Sequence, residues 1–223
     1  MKSRAPPGAP FATVNGGTEY FLSALDFTGT LDNRIAIWAL TNTSSLDNKT
    51  PSLTLQSAVL NSQVYGMPPA AQQMDGPLPL GDAITAGLLG VKTGKQHTPL
   101  IESNDDRMQQ TVFAAGKLWS TLDTVVKTDN GPTVAGGAWF AVEPTWNQGT
   151  LGGNVSGQGY ISVNGKSVLF PAVGVNKNGS AVVGFTIVAQ DMYPSAAYVS
   201  LSSTGAGAVN VVAAGAGPDD GFT

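Results

Sequence analysis

The chain has 223 residues, of which 42% are hydrophobic and only 12% charged, and its net charge is -4. That length can bury one large core or two small ones. The composition is too apolar for disorder, and it offers no basic stripe to meet nucleic acid or an anionic membrane surface. There is no cysteine, which excludes disulfides, thiolate catalysis and Cys-ligated zinc or iron–sulfur centres.

Residues 1–17, rich in Pro and Gly, read as a linker or a severed connection. They lack the apolar core of a signal peptide. Low charge and abundant Ser, Thr, Asn and Gly point to a secreted or cell-surface protein, so its signal is expected upstream of this chain. No stretch approaches the roughly 20 apolar residues of a membrane span.

A first group of strands is predicted at 19–25, 33–41 and 51–60, where β-branched, aromatic and alternating polar residues are separated by turn clusters. Residues 61–104 have little strand character and are expected to be a long insertion. Within it only Asp82–Leu89 carries helix signals, with Asp82 as cap and Gly90 as stop. A connection of that length is either an insertion lying over one face or a functional loop. A second group is predicted at 108–113, 117–126, 137–142 and 159–163, and a third at 167–175, 181–189, 196–201 and 209–213. Asn164-Gly165 predicts a two-residue type I′ hairpin, which needs positive φ at both positions. Asn178-Gly179 sets the next turn.

One unit recurs through these groups. A turn feeds an apolar strand with an aromatic near its middle, as in Lys117–Leu122 after Ala115-Gly116, in Ala181–Ile187 after Asn178-Gly179, and in Ile35–Thr41 after Asp32-Asn33-Arg34. Consecutive blades of a β-propeller read this way. The fold class is therefore all-β, with residues 18–223 forming a partial β-propeller of about three four-stranded antiparallel blades. A β-sandwich is the alternative, because strand patterning alone does not separate the two. Rings need roughly four to eight blades, so the remaining ones are expected in the same chain, of which this is a fragment, or in a homo-oligomer.

Several stretches carry a resemblance. Glu19–Ser23, Asn33–Asn42, Asn104–Met108, Gly116–Trp119 and Met192–Tyr198 resemble a group of uncharacterised exported bacterial proteins with a sialidase-type (BNR-like) β-propeller. The resemblance covers nearly the whole chain from about residue 10 and places it as an internal segment of such a propeller. It implies fold and export. Sialidase enzymes also use an arginine triad, a Tyr–Glu pair and Ser-x-Asp-x-Gly-x-Thr-Trp boxes, and this chain has neither such a box nor a convincing triad.

The candidate ligand-binding residues are Asp105, Asp106, Arg107 and Trp146. The first three form the densest charge cluster in a charge-poor chain, at the expected start of a strand. Two adjacent carboxylates suit a cation or an arginine. Neighbours on a strand point to opposite faces, so the blander expectation is an Asp-stabilised turn with a structural ion pair. Trp146 lies beside Pro144 in a turn-rich stretch, while Trp38 and Trp119 fall mid-strand and read as packing residues. His97 is the only histidine, so a multi-histidine metal site is impossible and no catalytic triad is indicated. Glu19, Glu102, Glu143, Asp26, Asp123 and Asp191 are the acids from which a glycosidase pair would have to come. No catalytic residue, metal or cofactor is assigned. The expected function is a non-catalytic extracellular binding or interaction scaffold, with carbohydrate or another extracellular protein as partner. Part of a sialidase-like glycoside hydrolase is the alternative.

Overall fold

The computed structural model describes residues 3–8, 12–26, 28–79, 82, 98–128, 130–202 and 205–220. These residues build an all-β molecule of three sheets. The first sheet contains β2 (Thr18–Ala24), β3 (Leu31–Thr41) and β4 (Thr54–Gly66), joined in that order. The second contains β1 (Ser3–Arg4), β5 (Gln110–Ala114), β6 (Lys117–Lys127), β7 (Thr133–Asn147) and β8 (Thr150–Ile161). The third contains β9 (Ser167–Val175), β10 (Ala181–Ala189) and β11 (Met192–Ser202), with β12 (Gly205–Ala206) and β13 (Asn210–Ala213) both on the free edge of β11. All pairings in the sheets are antiparallel except β1 with β5, where Ser3 and Arg4 run parallel to Thr111 and Val112. The expected four strands per unit thus become three, five and five.

Side-chain alternation explains the stacking. In β2 and β3 the residues Tyr20, Leu22, Ile35, Ile37 and Ala39 point to one face and are buried. They meet Leu118, Leu122, Phe140 and Val142 of the second sheet in one core. The opposite face of the second sheet, with Val112, Trp139 and Ala141, meets Val173, Val183, Phe185 and Val199 of the third in another. The second sheet is therefore covered on both sides. This is why Ala135–Val142 is buried at every position and shows no apolar–polar alternation.

Several expectations change in detail. The third strand of the first group does not end at residue 60 but runs to Gly66, so the first six residues of the stretch read as an insertion are strand. Beyond it, Ala71 and Ile101 bridge each other, and the Gln73 amide donates to the Asp219 carbonyl at 2.7 Å while accepting from the Asp219 N–H at 2.7 Å. The helix read at 82–89 lies outside the described residues apart from Asp82, and so does His97. Within the segment read as a linker, Ser3–Arg4 contributes β1. The Asn164-Gly165 turn is not type I′: only Gly165 has positive φ (70°), and the turn carries the chain from the second sheet to the third through the single bridge Val163–Lys166. Positive φ at both central residues occurs instead at Ala115-Gly116 (50° and 76°) and Gln148-Gly149 (49° and 80°).

One irregularity joins the second and third sheets. In β9 the residues Phe170 and Pro171 together oppose Phe185 of β10, which makes a bulge. Phe170 has φ 53°, a left-handed conformation that costs a bulky residue about 1–2 kcal/mol. Two residues on one face of β6 hold it. Asp123 accepts the Phe170 N–H at 2.8 Å, and the Thr121 hydroxyl donates to the Pro171 carbonyl at 2.6 Å.

Candidate functional site

Asp105 and Asp106 sit on a bend just ahead of β5, not on the strand itself. The bend turns them apart. Asp105 accepts the Arg107 backbone N–H at 3.0 Å, a local Asx turn, and its two oxygens receive the guanidinium at 2.6–2.8 Å. The Arg107 hydrogen bonds and charge hold the Asp105 carboxyl below the usual carboxylate range. Asp32 and Arg34 repeat the arrangement at the start of β3, with backbone and guanidinium N–H groups both donating to one carboxylate at 2.8–3.0 Å. The ion-pair reading of Asp105 and Arg107 thus matches the geometry.

Asp106 points inward and is only 3% exposed. Its partner is Asp26, which follows β2 and stands eighty positions earlier in the sequence. The Oδ1 of Asp26 accepts from the Thr28 and Thr30 N–H groups at 3.3 and 3.1 Å and from the Thr28 hydroxyl at 3.2 Å. The Oδ2 of Asp26 and the Oδ2 of Asp106 are buried and meet no N–H or hydroxyl donor. The two carboxyls satisfy each other only if one carries a proton. Burial, and then the Asp26 carboxylate, push Asp106 up to about 7. Burial also acts to raise Asp26, but its hydrogen bonds with Thr30, Asp106 and Thr28 outweigh it and leave Asp26 below the ordinary value. The proton therefore resides on Asp106.

Tyr65 stands behind this pair. Its oxygen accepts the Leu25 N–H at 2.7 Å and its hydroxyl donates to the Arg34 carbonyl at 2.6 Å. Burial drives its pKa to about 12. Beside the pair lies a cavity of about 470 Å³, lined by Asp26, Asp105, Asp106 and Arg107 and by the apolar Leu22, Met67 and Met108.

The structure thus brings Asp105, Asp106 and Arg107 to one cavity and adds Asp26. Trp146 does not line it. The Trp146 indole N–H donates to the Tyr20 hydroxyl at 3.0 Å, and the ring packs on the core between the first two sheets. Of the other acids considered, Glu143 pairs with Lys117 at 2.9 Å and Asp191 with Lys166 at 2.8 Å. Asp123 holds the β9 bulge, and burial raises it to about 7. Among the described residues no three His, Asp or Glu side chains are grouped as a metal site would need, and no helix is long and apolar enough to cross a membrane. Sequence reading missed the Asp26–Asp106 pair because its members lie in different loops. The local signal was the Asp-x-Thr-x-Thr run at Asp26, which reads as a side-chain-stapled turn.

No family model matches the chain, and neither a curated protein nor a solved structure does.

Proposed function

We propose that this chain is a non-catalytic extracellular binding or interaction scaffold, built as three consecutive blades of an open β-propeller. Each sheet is made of strands consecutive in the chain apart from β1, and the second lies between the first and third with a separate core on each side. A β-sandwich would enclose one core between two sheets. The observation that carries the reading is that both ends of the stack present uncovered apolar side chains. On the outward face of the first sheet Leu55 and Val59 are 59% and 60% exposed, beside half-buried Trp38 and Leu40. On that of the third, Val182 and Tyr198 are 47% and 39% exposed. Such faces mark interaction surfaces.

A glycoside hydrolase is the second reading, favoured by a carboxyl protonated near neutrality at a cavity. Against it, Asp106 is only 3% exposed and its Oδ2 is buried, so the carboxyl does not reach out to a substrate. Retaining enzymes hold their carboxyls about 5–5.5 Å apart and inverting ones about 6.5–9.5 Å.

Sedimentation and binding of a hydrophobic dye test the scaffold reading. The chain should associate as its concentration rises and should bind dye. Leu55→Lys with Val59→Lys, or separately Val182→Lys, should reduce both without altering the circular dichroism. A chain that stays monomeric and dark at every concentration would sink it. Turnover of a glycoside that is lost in a folded Asp106→Asn variant would replace it with the hydrolase.

A further inference from the structure

A second cavity, of about 420 Å³, opens between the second and third sheets beside the Ala115-Gly116 and Asn178-Gly179 turns. That size lies within the roughly 300–1,000 Å³ of small-molecule sites. Two tryptophans border it. Trp119 and Trp139 are cross-strand neighbours on β6 and β7, and their rings stack with centroids 6.5 Å apart at 18°. Trp139 is 4% exposed, and neither indole N–H has a hydrogen-bond partner. β8 is shaped around this pair. A Cβ at Gly157 would come 3.1 Å from the Trp139 ring, and one at Gly159 would come 2.8 Å from its indole nitrogen, so the strand leaves out two side chains where the ring lies.

The rim is polar and electrically closed. Lys117 is paired with Glu143 at 2.9 Å and donates to the Ser156 hydroxyl at 3.2 Å. Asn178, on the exposed Asn178-Gly179 turn, also borders the cavity. Among the described residues that line it the only charged one is Lys117, which is already paired, so neither an anion nor a cation finds a free counter-charge there. Both indole nitrogens are buried and Trp139 is covered by β8, so what the site offers is the accessible part of the Trp119 ring and a rim of hydroxyl and amide groups. A neutral ring whose faces are apolar and whose edges carry hydroxyl groups matches both. From this we infer that the Trp119–Trp139 cavity is a binding site for a neutral saccharide.

The inference deepens the scaffold reading but is tested apart from it, because the cavity lies between sheets and the uncovered faces lie at the ends of the stack. The full chain is titrated with cellotriose, maltotriose and tri-N-acetylchitotriose, and with a tri-hexuronate as the anionic control. Tryptophan fluorescence and isothermal calorimetry report binding. At least one neutral trisaccharide should bind saturably and the hexuronate should not. Trp119→Phe, which shrinks the ring the saccharide would stack on, should weaken binding severalfold. Asn178→Ala, on an exposed turn, should weaken it with the fold intact, and it decides the matter if Trp119→Phe does not fold. No response to any neutral saccharide, equal affinity in the variants, or equal affinity for the hexuronate would overturn the assignment. These results leave the end-face variants unaffected in either direction.

Discussion

Asp106 binds its proton much more tightly in the folded chain than an exposed aspartate does, and stability must follow pH accordingly. Its folded pKa is about 7, against about 3.9 unfolded. Between these values the folded state holds a proton that the unfolded state has lost, so stability falls as pH rises. The contribution is complete below about pH 3.9 and gone above about pH 7. Asp123, also raised to about 7 by burial, acts in the same direction. Asp32, Asp105, Glu143 and Asp191 are lowered and act oppositely, losing their contribution in acid, but they are exposed pairs of small effect. Asp106→Asn supplies an amide donor to Asp26 that does not titrate. It should raise the melting temperature at pH 8 by a few degrees, at about 2–4 °C per kcal/mol in a domain of this size, and flatten the fall between pH 4 and 7 in thermal scans. A variant whose pH profile superimposes on the parent would show that the pair shares no proton. At this scale the sequence made Asp105–Arg107 readable, since an Asx turn needs only neighbours. The Asp26–Asp106 contact joins two loops, and no local pattern encodes it.

Turn chemistry governs the elements. Gln148-Gly149 joins β7 to β8 with positive φ at both residues, the geometry that matches strand twist and favours Asn-Gly. Glutamine is poorly suited to the first position. Gln148 is exposed, so Gln148→Asn should change little else and should raise the melting temperature by about 1–3 °C, from a few tenths to 1 kcal/mol of relieved backbone cost. An unchanged or lowered value in calorimetry would contradict the type I′ geometry. The strongest hairpin signal, Asn164-Gly165, was misleading as to what it joins. It marks a turn correctly, but a dipeptide does not reveal whether the next strand pairs with the previous one or departs to another sheet. Strand limits were readable where burial is one-sided: 167–175 and 181–189 agree with β9 and β10 residue for residue. They were poorly readable in β7, which runs from Thr133 to Asn147 and is covered on both faces, and in β8, where the predicted 159–163 catches only the end of Thr150–Ile161, so glycine and alanine pass for turn residues.

The whole molecule is held together by few ions, and side-chain amides take over part of that task. Gln56 of β4 donates to the Gly149 carbonyl at 2.9 Å and receives the Leu151 N–H at 3.0 Å. Further along, the Gln63 N–H donates to the Gln158 amide oxygen at 2.7 Å, and the Gln63 amide to the Gly159 carbonyl at 2.8 Å. Each glutamine acts as a short piece of extra strand between two sheets with no backbone ladder in common. Replacing both Gln56 and Gln63 with alanine removes three hydrogen bonds of about 1 kcal/mol each and leaves the one from the Gln63 backbone N–H. Hydrogen exchange in β4 should then quicken well before that in β10, where protection should be unchanged. Equal acceleration in both would mean that the sheets open together. The all-β class and the three strand groups were visible as turn-punctuated apolar runs. The order of stacking was not, because it depends on which face of each sheet meets which.

The parallel contact of β1 with β5 bears on the order of events during synthesis. Ser3 and Arg4 leave the ribosome before the first sheet, yet the residues they lie against, Thr111 and Val112, are made only after all of it. β1 has to wait for its template, and the chain between closes into a loop only when that template arrives, with the entropy penalty of a long closure. β1 thus docks only after the whole first sheet has been made, and the outer edge of β5 stays open until it does.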